Sequence, residues 1–138
     1  LVAALFVIVE AVNSAGALGV LHEILLKANR WPAAASALAI GGVIGFATNL
    51  INNLPLGLIA GATLHTAQVQ AAARKAVLIG VDLGPNLSIT GSLATILWLI
   101  AIRRDGLQIS GWKFLRAGLV IMPPTLLLAL AAEAVTRH

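Results

Sequence analysis

Residues 82–92 read DLGPNLSITGS, and this stretch decides how the chain around it can fold. It lies inside an apolar segment, residues 76–102, that is long enough for a membrane-crossing helix of about 20 residues. A carboxylate, two glycines and a proline interrupt the segment, and none of them favours a continuous helix. We therefore predict a discontinuous helix over 76–102 with its break at 82–91, where Thr90 or Gly91 caps the second half.

The composition of the 138 residues places this break in a membrane protein. Hydrophobic residues make up 59% of the chain and charged residues only 10%, and the mean hydropathy is +0.98. Soluble domains usually carry about 25% charged residues. Nine basic and five acidic side chains cannot cover the surface of so small a soluble domain. The composition excludes an ordinary soluble domain and predicts an integral membrane protein.

Other classes of function are also excluded by composition. The chain has a net charge of +4, but its Lys and Arg residues form short clusters between apolar runs, which is typical of membrane-protein loops. We therefore expect no nucleic-acid partner. Because the chain has no Cys, disulfides, zinc–thiolate sites and thiol catalysis are excluded. His22, His65 and His138 do not have metal-ligand spacing, so no metal or cofactor is expected.

A second polar interruption lies in the 43 residues between Arg30 and Arg74, which carry no formal charge. As one helix they would measure about 64 Å, twice the thickness of a bilayer core of about 30 Å. Three asparagines and a proline near the midpoint predict a helical hairpin over 32–73 with its tip at 49–55. The second arm has few strongly apolar residues, which favours a re-entrant hairpin. A fully spanning hairpin, or a simple turn in water, is the alternative.

The remaining segments complete the predicted architecture. Residues 1–21 read as the end of a membrane helix, and the chain starts within an apolar run, so we expect a C-terminal part of a longer polytopic protein. Residues 22–30 read as a polar loop. Residues 110–112 start an interfacial helix before a last transmembrane helix at 114–135, which Pro123–Pro124 should kink. The predicted fold is an all-α integral membrane protein with about three transmembrane helices, one of them discontinuous, and one re-entrant helical hairpin.

Two broken elements of this kind form substrate sites in membrane transporters, where half-helix ends and freed backbone groups meet near the bilayer midplane. A carboxylate at that depth, here Asp82, costs about 2.5–3.5 kcal/mol on insertion scales and usually faces a cavity or a partner. We therefore predict that Asp82 couples transport to protons or cations. The alternative is that Asp82 caps the restarting backbone or pairs with Lys75. Glu10, near a turn, is a weaker candidate for coupling.

The same residues carry a resemblance to a known family. The segment AVLIGVDLGPNLSITGSLATILWLIAIRR at 76–104 closely resembles the penultimate segment of the arsenical pump membrane protein family, the bacterial arsenite and antimonite efflux permeases. LFVIVEAVNSAG at 5–16, TNLINNLP at 48–55 and GWKFLRAGLVIMPPTLLLALAA at 111–132 are similar to the same family. The resemblance covers nearly the whole chain. DLGPNLSITGSLAT is specific to it, whereas an Asn-Asn-x-Pro hairpin alone indicates only the wider ion transporter superfamily.

The resemblance implies a multi-pass carrier of two inverted repeats in the bacterial inner membrane, with this chain as most of the second repeat. It implies a secondary transporter, not an enzyme, that exports arsenite and antimonite driven by protons and so gives arsenical resistance. It also implies an optional soluble arsenite-stimulated ATPase subunit as partner. Alternatives are a Na⁺/H⁺ antiporter or anion carrier of the same superfamily, or a non-transporting membrane scaffold subunit. By position, the resemblance assigns the substrate and ion pathway to Asn49, Asn52, Asn53, Pro55, Asp82, Pro85, Asn86, Ser88 and Thr90.

Overall fold

The computed structural model describes residues 2–66 and 68–135, and within these ranges the chain contains helices and no strand. The α-helices are α1 (Val2–Ser14), α2 (Ala17–Ala28), α3 (Ala33–Ile51), α4 (Asn53–Thr66), α5 (Ala71–Leu83), α6 (Leu93–Arg104) and α7 (Gly111–Val135). Two short 3-10 turns, Gly84–Leu87 and Ile89–Gly91, separate α5 from α6. The prediction of an all-α chain is confirmed for the described residues.

Two of the described helices, α3 and α7, are long and apolar enough to cross a membrane by length and composition. The outer face of α7 is apolar and unprotected, since Val120 is 74% and Leu128 is 71% exposed. α5 and α6 contain 13 and 12 residues. Each is therefore about 20 Å long, shorter than a bilayer core of about 30 Å. Exposed apolar side chains of this kind are compatible with lipid rather than water as the surrounding solvent.

Parallel packing of α3 on α5 forms the centre of the fold, and it depends on glycine. A Cβ added to Gly80 would lie 2.7 Å from the carbonyl oxygen of Gly41, and one added to Gly84 would overlap the backbone of Gly45. Both sides of the contact thus carry a Gly-x-x-x-Gly spacing, since Gly41 and Gly45 lie on α3, and Gly80 of α5 is followed by Gly84 directly after the helix end. Small residues at this spacing let membrane helices approach closely enough for backbone-to-backbone contact.

α7 packs antiparallel against this pair. Its Leu126 and Leu130 side chains fill the space beside Gly45 and Gly41, and a Cβ on Gly118 would meet the carbonyl oxygen of Leu87 in the first 3-10 turn. α7 therefore contacts α5 and both 3-10 turns from one side.

The α3–α4 hairpin reverses at Asn52, which has a left-handed φ of 80°. At the other end of α4, Asn29 forms hydrogen bonds with the linker before α5. Its Oδ1 accepts from the Gln70 N–H at 2.9 Å, and its carbonyl accepts from Gln70 Nε2 at 3.0 Å. The open end of the hairpin is therefore fixed beside the α2–α3 turn, and the tip lies against the 3-10 turns.

Gly16 adopts a left-handed φ of 87° between α1 and α2, so residues 2–21 are divided between two helices. Two other features of the terminal segments differ from the expectations. The prediction of a loop at 22–30 is wrong, because α2 continues to Ala28 and places its charges on the exposed surface. The expected separate interfacial helix at 110–112 is also wrong, since α7 runs unbroken from Gly111 through both prolines.

Candidate functional site

Asn49, in the last turn of α3, joins the hairpin tip to the helix interruption. Its Nδ2 donates hydrogen bonds to the carbonyl oxygens of Gly45 at 3.0 Å and Gly84 at 2.9 Å. Its Oδ1 accepts from the backbone N–H of Ser88 at 3.0 Å and from the Ser88 hydroxyl at 2.8 Å. The amide orientation is fixed, because carbonyls only accept and an N–H only donates. One side chain therefore binds both ends of the first 3-10 turn.

Asn52 and Thr90 form a second connection between the two elements. Asn52 is 8% exposed, and its Nδ2 donates to the Thr90 carbonyl at 2.9 Å. Its Oδ1 accepts from the Leu54 N–H at 3.3 Å, which holds the turn into α4. The Thr90 hydroxyl donates to the Asn49 carbonyl at 2.9 Å and lies 3.1 Å from the Ser88 hydroxyl. Asparagine suits this position because it tolerates a positive φ better than most residues.

Glycines bring the backbones of the tip and the interruption into direct contact. A Cβ on Gly91 would lie 2.6 Å from the Pro85 carbonyl oxygen and 2.7 Å from Asn49 Oδ1. Real Cβ atoms do not approach other heavy atoms this closely, so a larger residue at Gly91, as at Gly84, would separate the elements. On the side of Gly91, backbone therefore fills the space beside the Asn49 amide.

α6 begins after Ser92, whose hydroxyl accepts a hydrogen bond from the Ala94 N–H at 3.2 Å. The expectation that Thr90 or Gly91 caps this helix is wrong. The Thr90 hydroxyl is directed to the Asn49 carbonyl, and Gly91 belongs to the second 3-10 turn. A serine directly before an apolar run is a recognised N-cap signal, and it was the cue to the correct boundary.

Asp82 lies in the last turn of α5 with its side chain exposed. Neither structural alternative for this carboxylate is found. Lys75 Nζ lies 2.9 Å from Glu133 Oε1, and the restarting helix is capped by Ser92. Within the described part of the chain, no group forms a hydrogen bond or ion pair with the Asp82 side chain. Asp82 is therefore an exposed carboxylate beside the interruption, without a partner among the described residues.

Asn53 and Asn86 border open space on two sides of the joined elements. Asn53 starts α4 and lines a groove of about 560 Å³ together with Ser92. Asn86 lines a cavity of about 260 Å³ between the interruption and α7, and its Nδ2 donates to the Leu83 carbonyl at 3.0 Å. Neither side chain forms a hydrogen bond to another helix within the described residues.

The two prolines of the predicted site occupy the first turns of helical segments, where proline fits the backbone. Pro55 lies in the first turn of α4 and Pro85 in the first 3-10 turn, and both are buried. In a first helical turn the N–H group has no intrahelical acceptor, so its loss costs no hydrogen bond there.

The remaining titratable candidates lie apart from this site. Glu10 is exposed on α1, where its Oε1 accepts from the Ser14 hydroxyl at 3.4 Å. His22 and His65 belong to different helices, and His138 lies outside the described residues. In residues 2–66 and 68–135, no group of three or more His, Asp or Glu side chains converges on a metal position.

Chemically, the joined elements present amides, hydroxyls and carbonyls, together with one open carboxylate. Such groups hydrogen-bond a small hydroxylated solute, and they lack the thiolates that hold soft metal ions tightly. A hairpin tip braced against an interrupted helix, in a chain with apolar helices of spanning length, is the construction of a helical membrane transporter. The chain belongs to the arsenical pump membrane protein family, whose sequence profile matches residues 1–135. This confirms the family that the sequence resembles.

Individual relatives agree with the profile. The arsenical pump membrane protein of Escherichia coli K12 is 32% identical over 104 residues, which cover 72% of this chain and 24% of the relative. The protein of the same name from Yersinia enterocolitica is 28% identical over 134 residues, covering 94% and 31%. An uncharacterized transporter of Mycobacterium tuberculosis is 29% identical over 136 residues, covering 92% and 31%. The chain thus spans about a quarter to a third of these relatives. No solved structure matches it.

Proposed function

We propose that this chain forms the second repeat of an inverted-repeat transporter that exports arsenite and antimonite across the bacterial inner membrane. One observation carries the proposal. In a member of the arsenical pump family, Asn49 joins a hairpin tip to a helix interruption. Transporters of inverted-repeat architecture build substrate sites from such pairs of broken elements. The corresponding elements of the other repeat would complete the site in the complete transporter.

The proposed pathway residues divide into two groups by their surroundings. One group holds the backbone of the site, namely Asn49, Asn52, Pro55, Pro85, Ser88 and Thr90. The other group borders open space, namely Asn53, Asp82 and Asn86. Trivalent arsenic and antimony hydroxides are neutral near pH 7, so amide hydrogen bonds suit them. A site without thiolates also releases such a cargo readily.

Proton coupling is proposed for Asp82. The carboxylate is expensive within a membrane, and the described residues supply it with neither a cation nor a hydrogen-bond donor. Protonation removes the charge and deprotonation restores it, so this side chain can exchange a proton as the site faces each side in turn. A proton entering the cell could then be exchanged for outgoing cargo.

The hairpin is proposed to be re-entrant. Its tip at Asn52 bonds to the carbonyl of Thr90 in the middle of the broken element, not to the far end of α6. α4 contains 14 residues, about 21 Å of helix, which is short for a full span. A soluble ATPase is proposed as an optional partner on the strength of the family resemblance.

The test uses the complete transporter in an arsenite-sensitive bacterial strain and in everted membrane vesicles. Proton-driven arsenite accumulation is expected for the natural sequence and is expected to be lost in Asp82→Asn, because an amide cannot exchange the proton. Asp105→Asn is the matched control. Asp105 is an exposed carboxylate after the end of α6 and should tolerate the change. Full accumulation by Asp82→Asn would eliminate the coupling role.

The same vesicles separate the alternative functions. A Na⁺/H⁺ antiporter would exchange protons for sodium without moving arsenite, and an anion carrier would accumulate an organic or inorganic anion instead. A scaffold subunit would move no solute, and Asp82→Asn would leave resistance unchanged. Arsenite and antimonite accumulation that depends on the proton gradient supports the proposal against all three.

A further inference from the structure

We infer that Asn49 is a positioning residue and not a ligand for the cargo. Its amide holds the hairpin tip and the helix interruption together as one unit, so the tip does not lift from the interruption during transport. The inference rests on the proposed function, because it assigns a role to one residue of that transporter.

The hydrogen-bonding capacity of Asn49 is fully used within the chain. A side-chain amide has two N–H donors and an oxygen with two lone pairs. Both donors are used by the carbonyls of Gly45 and Gly84, at 3.0 and 2.9 Å. Both lone pairs are used by the N–H and the hydroxyl of Ser88, at 3.0 and 2.8 Å. Cargo could bind this amide only by displacing a bond that holds the site together.

The lack of space around the Asn49 side-chain amide also indicates that it does not bind cargo. Even a single added carbon at Gly91 would lie 2.7 Å from Asn49 Oδ1. The Thr90 hydroxyl also occupies the Asn49 carbonyl at 2.9 Å. A hydroxylated solute is larger than a methyl group and has no room between the tip and the interruption. Cargo would therefore contact residues that border open space, such as Asn53 and Asn86.

A reporter thiol at Leu87 tests this directly. Leu87 lies in the first 3-10 turn and is 8% exposed. In an otherwise cysteine-free complete transporter, Leu87→Cys should react slowly with a membrane-permeant maleimide while the tip is held in place. Gln108→Cys, in the exposed loop after α6, supplies the fast reference rate. Labelling needs no cargo, so it reports on the connection even if the protein carries a different solute.

Asn49→Ala, Ser88→Ala and the double variant are each combined with Leu87→Cys, and the labelling rates of the introduced thiol are compared. Asn49→Ala removes four hydrogen bonds and should raise the labelling rate about tenfold or more, since one net hydrogen bond corresponds to about a fivefold change in an opening equilibrium. Ser88→Ala removes the hydroxyl bond to Asn49 and the contact with the Thr90 hydroxyl but keeps the backbone bond to Asn49, so it should give a smaller increase. Because both changes act on the same network, the double variant should show less than the product of the two effects.

Asn49→Asp adds a pH dependence that general destabilisation does not produce. One oxygen of the introduced carboxylate still accepts from Ser88, but the other takes the place of Nδ2 and is repelled by the carbonyls of Gly45 and Gly84. Protonation restores one donor, and these surroundings favour the protonated form. As the pH falls toward about 5, labelling of Asn49→Asp should slow relative to Asn49→Ala measured at the same pH. Using this ratio cancels the pH dependence of the thiol itself.

Transport kinetics separate positioning from ligation. A positioning role predicts faster Leu87→Cys labelling together with a lower maximal rate in Asn49→Ala. Unchanged labelling with a raised KM for arsenite would overturn the inference and make Asn49 a ligand. An equal pH response of Asn49→Asp and Asn49→Ala would also overturn it. If the natural sequence moves no arsenite, the proposed function fails, while the labelling comparison still decides the role of Asn49.

Discussion

Replacing Gly84 by alanine should strongly destabilise the protein, because this residue forms the closest backbone contact between α3 and the interruption. The new Cβ would lie 2.6 Å from the carbonyl carbon of Gly45 and closer still to two other Gly45 backbone atoms. Carbon atoms normally pack about 3.5–4.0 Å apart, so the two backbones must separate by about 1 Å. The bond from Asn49 Nδ2 to the Gly84 carbonyl, now 2.9 Å, would then be weak or lost.

The expected magnitude follows from these two effects. Overpacking costs about 1–3 kcal/mol, and the lost hydrogen bond adds about 1 kcal/mol. The total of about 2–4 kcal/mol lowers the ratio of folded to unfolded protein by roughly 30- to 900-fold. The matched control is Gly42→Ala, on the same helix α3. Nothing lies within 4 Å of a Cβ at Gly42, so alanine there should stabilise the helix by about 0.5–1 kcal/mol.

Tryptophan fluorescence during unfolding in detergent measures both variants, since Trp98 lies in α6 and Trp112 in α7. Gly84→Ala should unfold at a lower temperature than the natural sequence, and Gly42→Ala at the same or a higher one. If both variants unfold alike, α3 and the interruption are not in backbone contact, and the parallel packing of the two glycine faces is refuted.

Two smaller effects are expected elsewhere in the fold. Ser92→Ala removes the cap that accepts from the Ala94 N–H at 3.2 Å, and it should cost about 1 kcal/mol in the same unfolding assay. Ser92→Asp should retain most of this stability, and an equal loss in both variants would argue against the cap. Lys75→Met removes a contact of 2.9 Å to Glu133. Because Lys75 is 58% exposed, the loss should be below about 1 kcal/mol and smaller still in high salt.

The sequence indicates where the helices are interrupted, because proline, glycine and asparagine stand out against an apolar background. The tip region at 49–55 contains the reversal at Asn52, and α5 gives way to 3-10 turns from Gly84 onward. What the residues on their own cannot distinguish is which asparagine joins the two regions. Asn49 and Ser88 are 39 positions apart, and their contact depends on the register between two helices.

The charged residues at 22–30 led to the wrong prediction of a loop there. Glu23 and Lys27 lie on successive turns of α2, and Lys27 Nζ is 3.4 Å from Glu23 Oε2. Such i,i+4 pairs are compatible with an exposed helix as readily as with a loop. A polar stretch between apolar runs therefore defines the edge of the apolar region, and not the end of a helix.

The register that brings Asn49 to Ser88 is nevertheless written in the sequence as a repeated spacing. On α3 the residues 41, 45 and 49 are Gly, Gly and Asn, and on the broken element the residues 80, 84 and 88 are Gly, Gly and Ser. The three contacts share one offset of 39 positions and recur every four residues, about one helical turn. Apolar burial gives little preference for one register over another within lipid, so close packing and polar bonds must set it. The two glycine pairs bring the backbones together, and the third pair locks them with an amide whose bonds are all used. An arrangement of this kind fixes the break in place and leaves Asp82, one residue before the end of α5, exposed beside it.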